Sequence, residues 1–156
     1  MRKKEREVTD LNEIRDILEN NDICRVAFKD NDGIYIVPLS YGYSLDNDNL
    51  VLYFHGAKEG RKTFAFENEL EIGFEIDEKN QLKGKDDIGC SYTYFYRSII
   101  GTGKASIVKD FEDKKNALDI IMRNVTKKDN FRYNKAAIDN VLVMKLESIS
   151  YKAKKH

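Results

Sequence analysis

The residues best suited to chemistry lie in one short stretch, Tyr53-Phe54-His55-Gly56-Ala57-Lys58-Glu59-Gly60-Arg61-Lys62, where an apolar strand runs into small residues and then a basic segment. Gly56, Ala57 and Gly60 carry little bulk, so backbone N–H groups there can approach an anion, and a following helix presents unpaired N-terminal amides. Lys58, Arg61 and Lys62 add countercharge, and the combination suits a phosphate. The same spacing also suits an ordinary strand-to-helix connection with solvated lysines, and residue types alone leave both readings open. His55 sits at the strand end, and the only other histidine is His156. Proton transfer by an imidazole, the side chain matched to neutral pH, therefore falls to His55. A histidine so placed serves equally well as a structural residue or a ligand contact.

These residues need elements to position them. Thr9 or Asp10 can cap a first helix carrying the apolar stripe Leu11, Ile14, Ile17 and Leu18. Strands follow at 23–28, 34–43 and 50–55, separated by the turn signals Asp30-Asn31-Asp32-Gly33 and Asp46-Asn47-Asp48-Asn49. Strands joined by such short turns form an antiparallel meander. The single proline, Pro38, falls inside the second strand, where it cannot donate a ladder hydrogen bond. It marks either a protected edge or a free backbone segment able to bind a ligand. A helix over 61–68, a half-buried strand over 70–76 and a polar loop over 78–89 are expected next. A long strand over 91–108 follows, broken by Gly101 and Gly103 where a sheet can curl. An amphipathic helix over 111–125, a loop, a short helix from Asn134 and a strand over 141–149 complete the pattern. Six strands with flanking helices predict a mainly β, α+β barrel in one domain spanning 1–156. Its interior is too small for a flat cofactor, which must bind on the outer wall or between two copies. The adjacent aromatics Tyr92, Tyr94, Phe95 and Tyr96 populate both faces of their strand, one for the core and one for a partner.

Composition narrows the function. Lys and Arg total 27 and Asp and Glu total 27, so the field that non-specific nucleic-acid binding uses is absent. The basic start Arg2, Lys3, Lys4 and Arg6 is offset by Glu5 and Glu7 and has no apolar run behind it, unlike a secretory signal. No stretch matches a membrane span, and a cytoplasmic location is expected. Cys24 and Cys90 lie far apart without a CxxC or a histidine pair, so no metal site is indicated. Cys24 alternates with Val26 and Phe28, which suits a buried thiol.

Three segments together, Val37-Pro38-Leu39, the 52–62 strand and turn, and Ser98-Ile99-Ile100-Gly101-Thr102-Gly103-Lys104-Ala105, closely resemble the nitroimidazole-resistance (Nim) family. That family belongs to the pyridoxamine 5′-phosphate oxidase-like flavin proteins with a split β-barrel. The resemblance covers nearly the whole chain and implies a homodimer with FMN at the subunit interface. It implies that the backbone of Val37, Pro38 and Leu39 lies along the ring edge, with His55, Gly56 and Ala57 between ring and ribityl chain. Lys58 and Lys62 then hold the phosphate, with Arg61 as a third candidate. Tyr96 and Ser98 come from the second subunit, or are ordinary interface or barrel residues.

The implied function is an FMN-dependent oxidoreductase of the nitroimidazole-reductase type, reducing a small flat acceptor, with His55 as candidate proton donor. A flavin-binding protein that stores, carries or senses FMN without turnover is the alternative of a different class. Pyridoxamine phosphate oxidation is a weaker reading, because residues 149–154 lack the arginine-bearing substrate motif of the true oxidases. The electron donor is not named by any motif.

Overall fold

The computed structural model describes residues 4–156, with no side-chain description at Lys79 and Asn80. Arg2 and Lys3 of the basic start lie outside the described residues. The elements are β1 (Glu7–Val8), α1 (Leu11–Glu19), β2 (Ile23–Asp30), β3 (Gly33–Asp46), β4 (Asn49–Gly56), α2 (Thr63–Glu67), β5 (Glu71–Lys85), β6 (Ile88–Ile107), α3 (Phe111–Thr126), α4 (Lys135–Asn140) and β7 (Leu142–Lys155).

All pairings are antiparallel, in the order β1-β7-β4-β3-β2-β5-β6, and a further β6–β7 ladder joins the ends. Six strands thus form a closed ring, the split β-barrel of an α+β protein, with β1 as a two-residue addition to β7. The meander β2-β3-β4 follows its turn signals, and a register shift falls between Thr102 and Gly103, where the glycines predict a bend. A side chain at Gly103 has no room there, since a Cβ lies 2.7 Å from the Glu147 carbonyl oxygen.

Alternation sorts the strands. Cys24, Val26, Leu50, Leu52, Phe54, Ile76, Ile99 and Leu146 are fully buried and fill the barrel, each large apolar side chain contributing about 1.5–3 kcal/mol. Burial pushes the Cys24 thiol up to about 12. The stripe Ile14, Ile17 and Leu18 of α1 joins this core. The helix is capped by Asp10, whose side chain accepts from the Asn12 N–H at 3.0 Å. Tyr41 Oη then ties the helix end to β3 by donating to the Leu18 carbonyl at 2.8 Å. Outside the barrel, α3 lies directly on β3 at Gly42, where an added Cβ meets the Ile121 backbone nitrogen at 2.5 Å. Val108, Ala117, Leu118, Ile138 and Val143 form the second core beneath α3 and α4.

Three expectations are corrected. Residues 78–89 are not a loop: β5 runs to Lys85, turns, and returns as β6 from Ile88. This ribbon has no third strand along residues 78–96 among the described pairings, so neither face is buried in the barrel. The aromatic run lies on that ribbon and sends no side chain into the core: Tyr92 and Tyr94 are exposed, and Phe95 stacks on the His156 ring at 5.2 Å. The last strand extends past 149 to Lys155 because β6 pairs with it up to that residue.

Candidate functional site

The site begins with an incomplete strand. β3 pairs with β2 from Gly33 to Ser40, but β4 joins it only from Tyr41 onward. Among the described pairings, residues 33–40 therefore have a strand on one side only, and Pro38 sits inside this half-paired segment. That is where a residue without an N–H is tolerated. Val37 and Leu39 are half-buried and pack on the barrel core, which leaves the backbone on the side away from β2 free for another partner.

The basic turn springs from the strand that fails to cover this edge. Leu52 and Phe54 point into the barrel, so alternation turns His55 outward, and β4 ends at Gly56. The chain then turns into α2, whose Thr63, Ala65 and Phe66 anchor it by burial. This helix has five residues rather than the eight expected over 61–68, and its first amides are already used. Thr63 N–H donates to the Gly60 carbonyl at 3.0 Å and Phe64 N–H to the Arg61 carbonyl at 3.3 Å. A phosphate here must rely on side chains more than on the helix start.

Lys62 supplies such a side chain. Its chain folds back over both glycines: a Cβ built at Gly56 lies 2.9 Å from Lys62 Cε and 3.6 Å from Nζ, and one at Gly60 lies 3.7 Å from Nζ. The glycines thus make the cradle in which the ammonium rests. Gly60 has φ of 121°, a conformation that glycine adopts at no steric cost. Ala57 and Lys58 are exposed beside it. Lys114 Nζ donates to the Ile138 carbonyl at 2.7 Å, and its pKa is lowered, first by burial and then by the nearby charge of Lys58.

Arg61 is engaged elsewhere. Its Nε and Nη2 bind Asp30 at 2.8 and 2.7 Å, Nη2 also donates to the Gly33 carbonyl at 3.2 Å, and the guanidinium lies 4.7 Å above the Tyr35 ring. The Asp30 carboxyl is held below the usual carboxylate range by this hydrogen bonding. Asp30 and Tyr35 were not legible as site residues, because Asp30 reads as a turn former and lies 31 residues before its partner.

His55 is exposed opposite Val143 in the β4–β7 ladder, with no hydrogen bond to its ring among the described residues. The open edge at Val37–Leu39 and the turn at 56–62 thus flank the point where β3 and β4 part, with His55 on the outer surface there. Tyr96 and Ser98 are not brought to this place within one chain. They lie on β6, three strands from β3 in either direction around the ring. Ser98 is buried, and the Tyr96 ring lies 6.1 Å from that of His156. Among the described residues, four cavities of about 480 to 700 Å³ open away from this place, and none of these four is lined by Val37–Leu39 or by the turn. The largest of these four is lined by Tyr53, Ser106, Lys145 and the first turns of α3. Among the described residues no helix is long and apolar enough to cross a membrane.

A closed ring of antiparallel strands with one half-paired strand and flanking helices defines the class: a small α+β protein of the split-barrel kind. The family model described as pyridoxamine 5′-phosphate oxidase matches residues 10–153, and the chain belongs to that family. A crystal structure described as a candidate 5-nitroimidazole antibiotic resistance protein from Bacteroides thetaiotaomicron is similar at 32% identity. The match covers 96% of this chain and 86% of that one, with a TM-score of 0.80. Two others share the fold at 18% identity. A flavocytochrome from Azotobacter vinelandii matches over 96% of this chain and 68% of its own, with a TM-score of 0.75. An FAD-binding protein from Mesorhizobium loti matches over 94% and 95%, with a TM-score of 0.65. No curated protein sequence matches significantly.

Proposed function

We propose that this protein binds FMN and is an oxidoreductase that reduces small flat acceptors of the nitroimidazole kind. The observation that carries the reading is the Lys62 ammonium folded over Gly56 and Gly60 beside the half-paired edge of β3. The two features match the two ends of a flavin mononucleotide. The backbone of the Val37-Pro38-Leu39 segment on the side away from β2 suits the hydrogen-bonding edge of the ring, and Lys58 and Lys62 suit the phosphate. His55, Gly56 and Ala57 lie between them along the chain. The similarity to the Bacteroides protein supports the acceptor class.

Flavin held here would supply the electron pair together with one of the protons, and the chain's own residues the other. Reduction of a nitro group to a nitroso group takes up two electrons and two protons and releases water. Exposed at the strand end, His55 is the residue proposed to hand a proton to a nitro oxygen. Because Tyr96 and Ser98 stand on the opposite wall, the reading includes a homodimer in which they approach the partner's flavin.

The test is anaerobic. Protein loaded with FMN is reduced chemically and its reoxidation by a 5-nitroimidazole is followed, while a second sample with the flavin oxidised is mixed with pyridoxamine phosphate, an electron donor, and bleaching of the flavin is followed. Rapid reoxidation by the nitroimidazole supports the proposal. Reduced flavin that persists with the nitroimidazole, together with oxidised flavin that persists with pyridoxamine phosphate, favours a flavin store, carrier or sensor, and bleaching by pyridoxamine phosphate alone would return the chain to vitamin B6 chemistry.

A further inference from the structure

We infer that Arg61 is a positioning residue: paired with Asp30, it latches the 56–62 turn onto the β2–β3 hairpin and so sets the spacing between the phosphate lysines and the open β3 edge. The inference rests on the flavin reading above and reassigns one of its residues.

The geometry is specific. Asp30 closes β2, and its Oδ1 accepts the Asp32 N–H at 2.9 Å, which fixes the carboxylate within the hairpin turn. The Arg61 fork meets both oxygens of that carboxylate. The bond to the Gly33 carbonyl and the ring of Tyr35 hold the guanidinium on a third and a fourth side. Only 9% of the Asp30 side chain and 34% of the Arg61 side chain are exposed. A second connection runs in parallel, since Phe64 of α2 stacks on Phe28 at 6.3 Å and Phe28 packs on Tyr35 at 5.4 Å. From Gly33 and Tyr35 the same strand continues straight to Val37, Pro38 and Leu39. Arg61 therefore ties the turn to the strand on which the ring edge would lie.

A guanidinium so placed cannot serve a phosphate without leaving a largely covered carboxylate unpaired. The planar fork also explains why arginine stands here while lysines stand at 58 and 62. A bidentate pair fixes a distance and an angle, whereas an ammonium acts as a point charge.

The experiment titrates FMN and riboflavin against the wild type, Arg61→Lys, Asp30→Asn and the double variant. Asparagine keeps an acceptor for the Asp32 N–H, and lysine keeps the charge but not the fork. Each single variant should weaken FMN by about three- to tenfold and riboflavin less, because the latch places the lysines that only FMN engages. The double variant should lose no more than either single one, because the two residues form one interaction. Weaker FMN binding in Arg61→Lys with equal or tighter FMN binding in Asp30→Asn makes Arg61 a phosphate ligand and overturns the latch, as does wild-type FMN affinity in either single variant. If the wild type binds neither flavin, the cofactor reading fails by itself. The latch then stands or falls on hydrogen exchange in the apoprotein. The Thr63 and Phe64 amides should exchange about three- to tenfold faster in both variants, and unchanged exchange overturns the inference.

Discussion

Adding one methyl group at Gly56 tests the phosphate cradle without touching a charge. An alanine Cβ there lies 2.9 Å from Lys62 Cε, closer than carbon atoms approach, whereas Met144 Cε stands clear at 3.8 Å. The crowded atom is the far end of a flexible side chain, so Lys62 swings away and the barrel stays intact. Gly56 is not among the positive-φ residues, so alanine is not strained by the backbone. Restricting the unfolded chain favours the variant by about 0.4–1 kcal/mol. The melting temperature of the apoprotein should therefore hold or rise slightly. FMN binding should suffer, because a charge-assisted contact to phosphate contributes about 1.5–3 kcal/mol, or roughly ten- to a hundredfold in affinity. Riboflavin, lacking the phosphate, should bind Gly56→Ala as it binds the wild type. In a Lys62→Ala background nothing remains to be displaced, and Gly56→Ala should then cost little more. Fluorescence titration of the four proteins with both flavins measures all of this. Equal losses for FMN and riboflavin would refute the reasoning, since the methyl group would then be blocking the ligand itself.

Other outcomes follow from the same geometry. Gly42→Ala drives a Cβ into the α3 backbone at 2.5–2.6 Å; it should destabilise the protein by about 1–3 kcal/mol, and an unchanged thermal melt would refute the close packing. His55→Ala should keep FMN bound while lowering nitro turnover per bound flavin by about 10²–10⁴-fold. A loss of affinity with unchanged turnover per flavin would retire its role as proton donor. Cys90 is exposed and Cys24 buried with a raised pKa. Iodoacetamide should accordingly label one thiol in the native protein and two after denaturation, and two native labels would contradict the placement of Cys24.

Much of this architecture is legible in the residues because burial imposes a period. The 23–28 and 50–55 strands alternate cleanly, since one face of each fills the barrel, and Asp30-Asn31-Asp32-Gly33 punctuates the first hairpin. Pro38 points to the half-paired strand for a local reason, its missing N–H. The 78–89 stretch fails to read as strand because a two-stranded ribbon has no buried face to write an alternation. Its residues from Gln81 to Lys85 are all exposed. At the site, glycines and lysines cluster within seven residues and stand out. The Arg61–Asp30 pair does not, because it joins two turns whose closeness exists only once β2 and β3 have formed.

Titration of the purified apoprotein with FMN and with riboflavin, followed by the visible spectrum and flavin fluorescence, tests the central claim most directly. A phosphate held by Lys58 and Lys62 predicts saturable FMN binding at least about tenfold tighter than riboflavin binding. Equal affinity for the two would remove the phosphate site, and the absence of binding to either would contradict the flavin assignment itself.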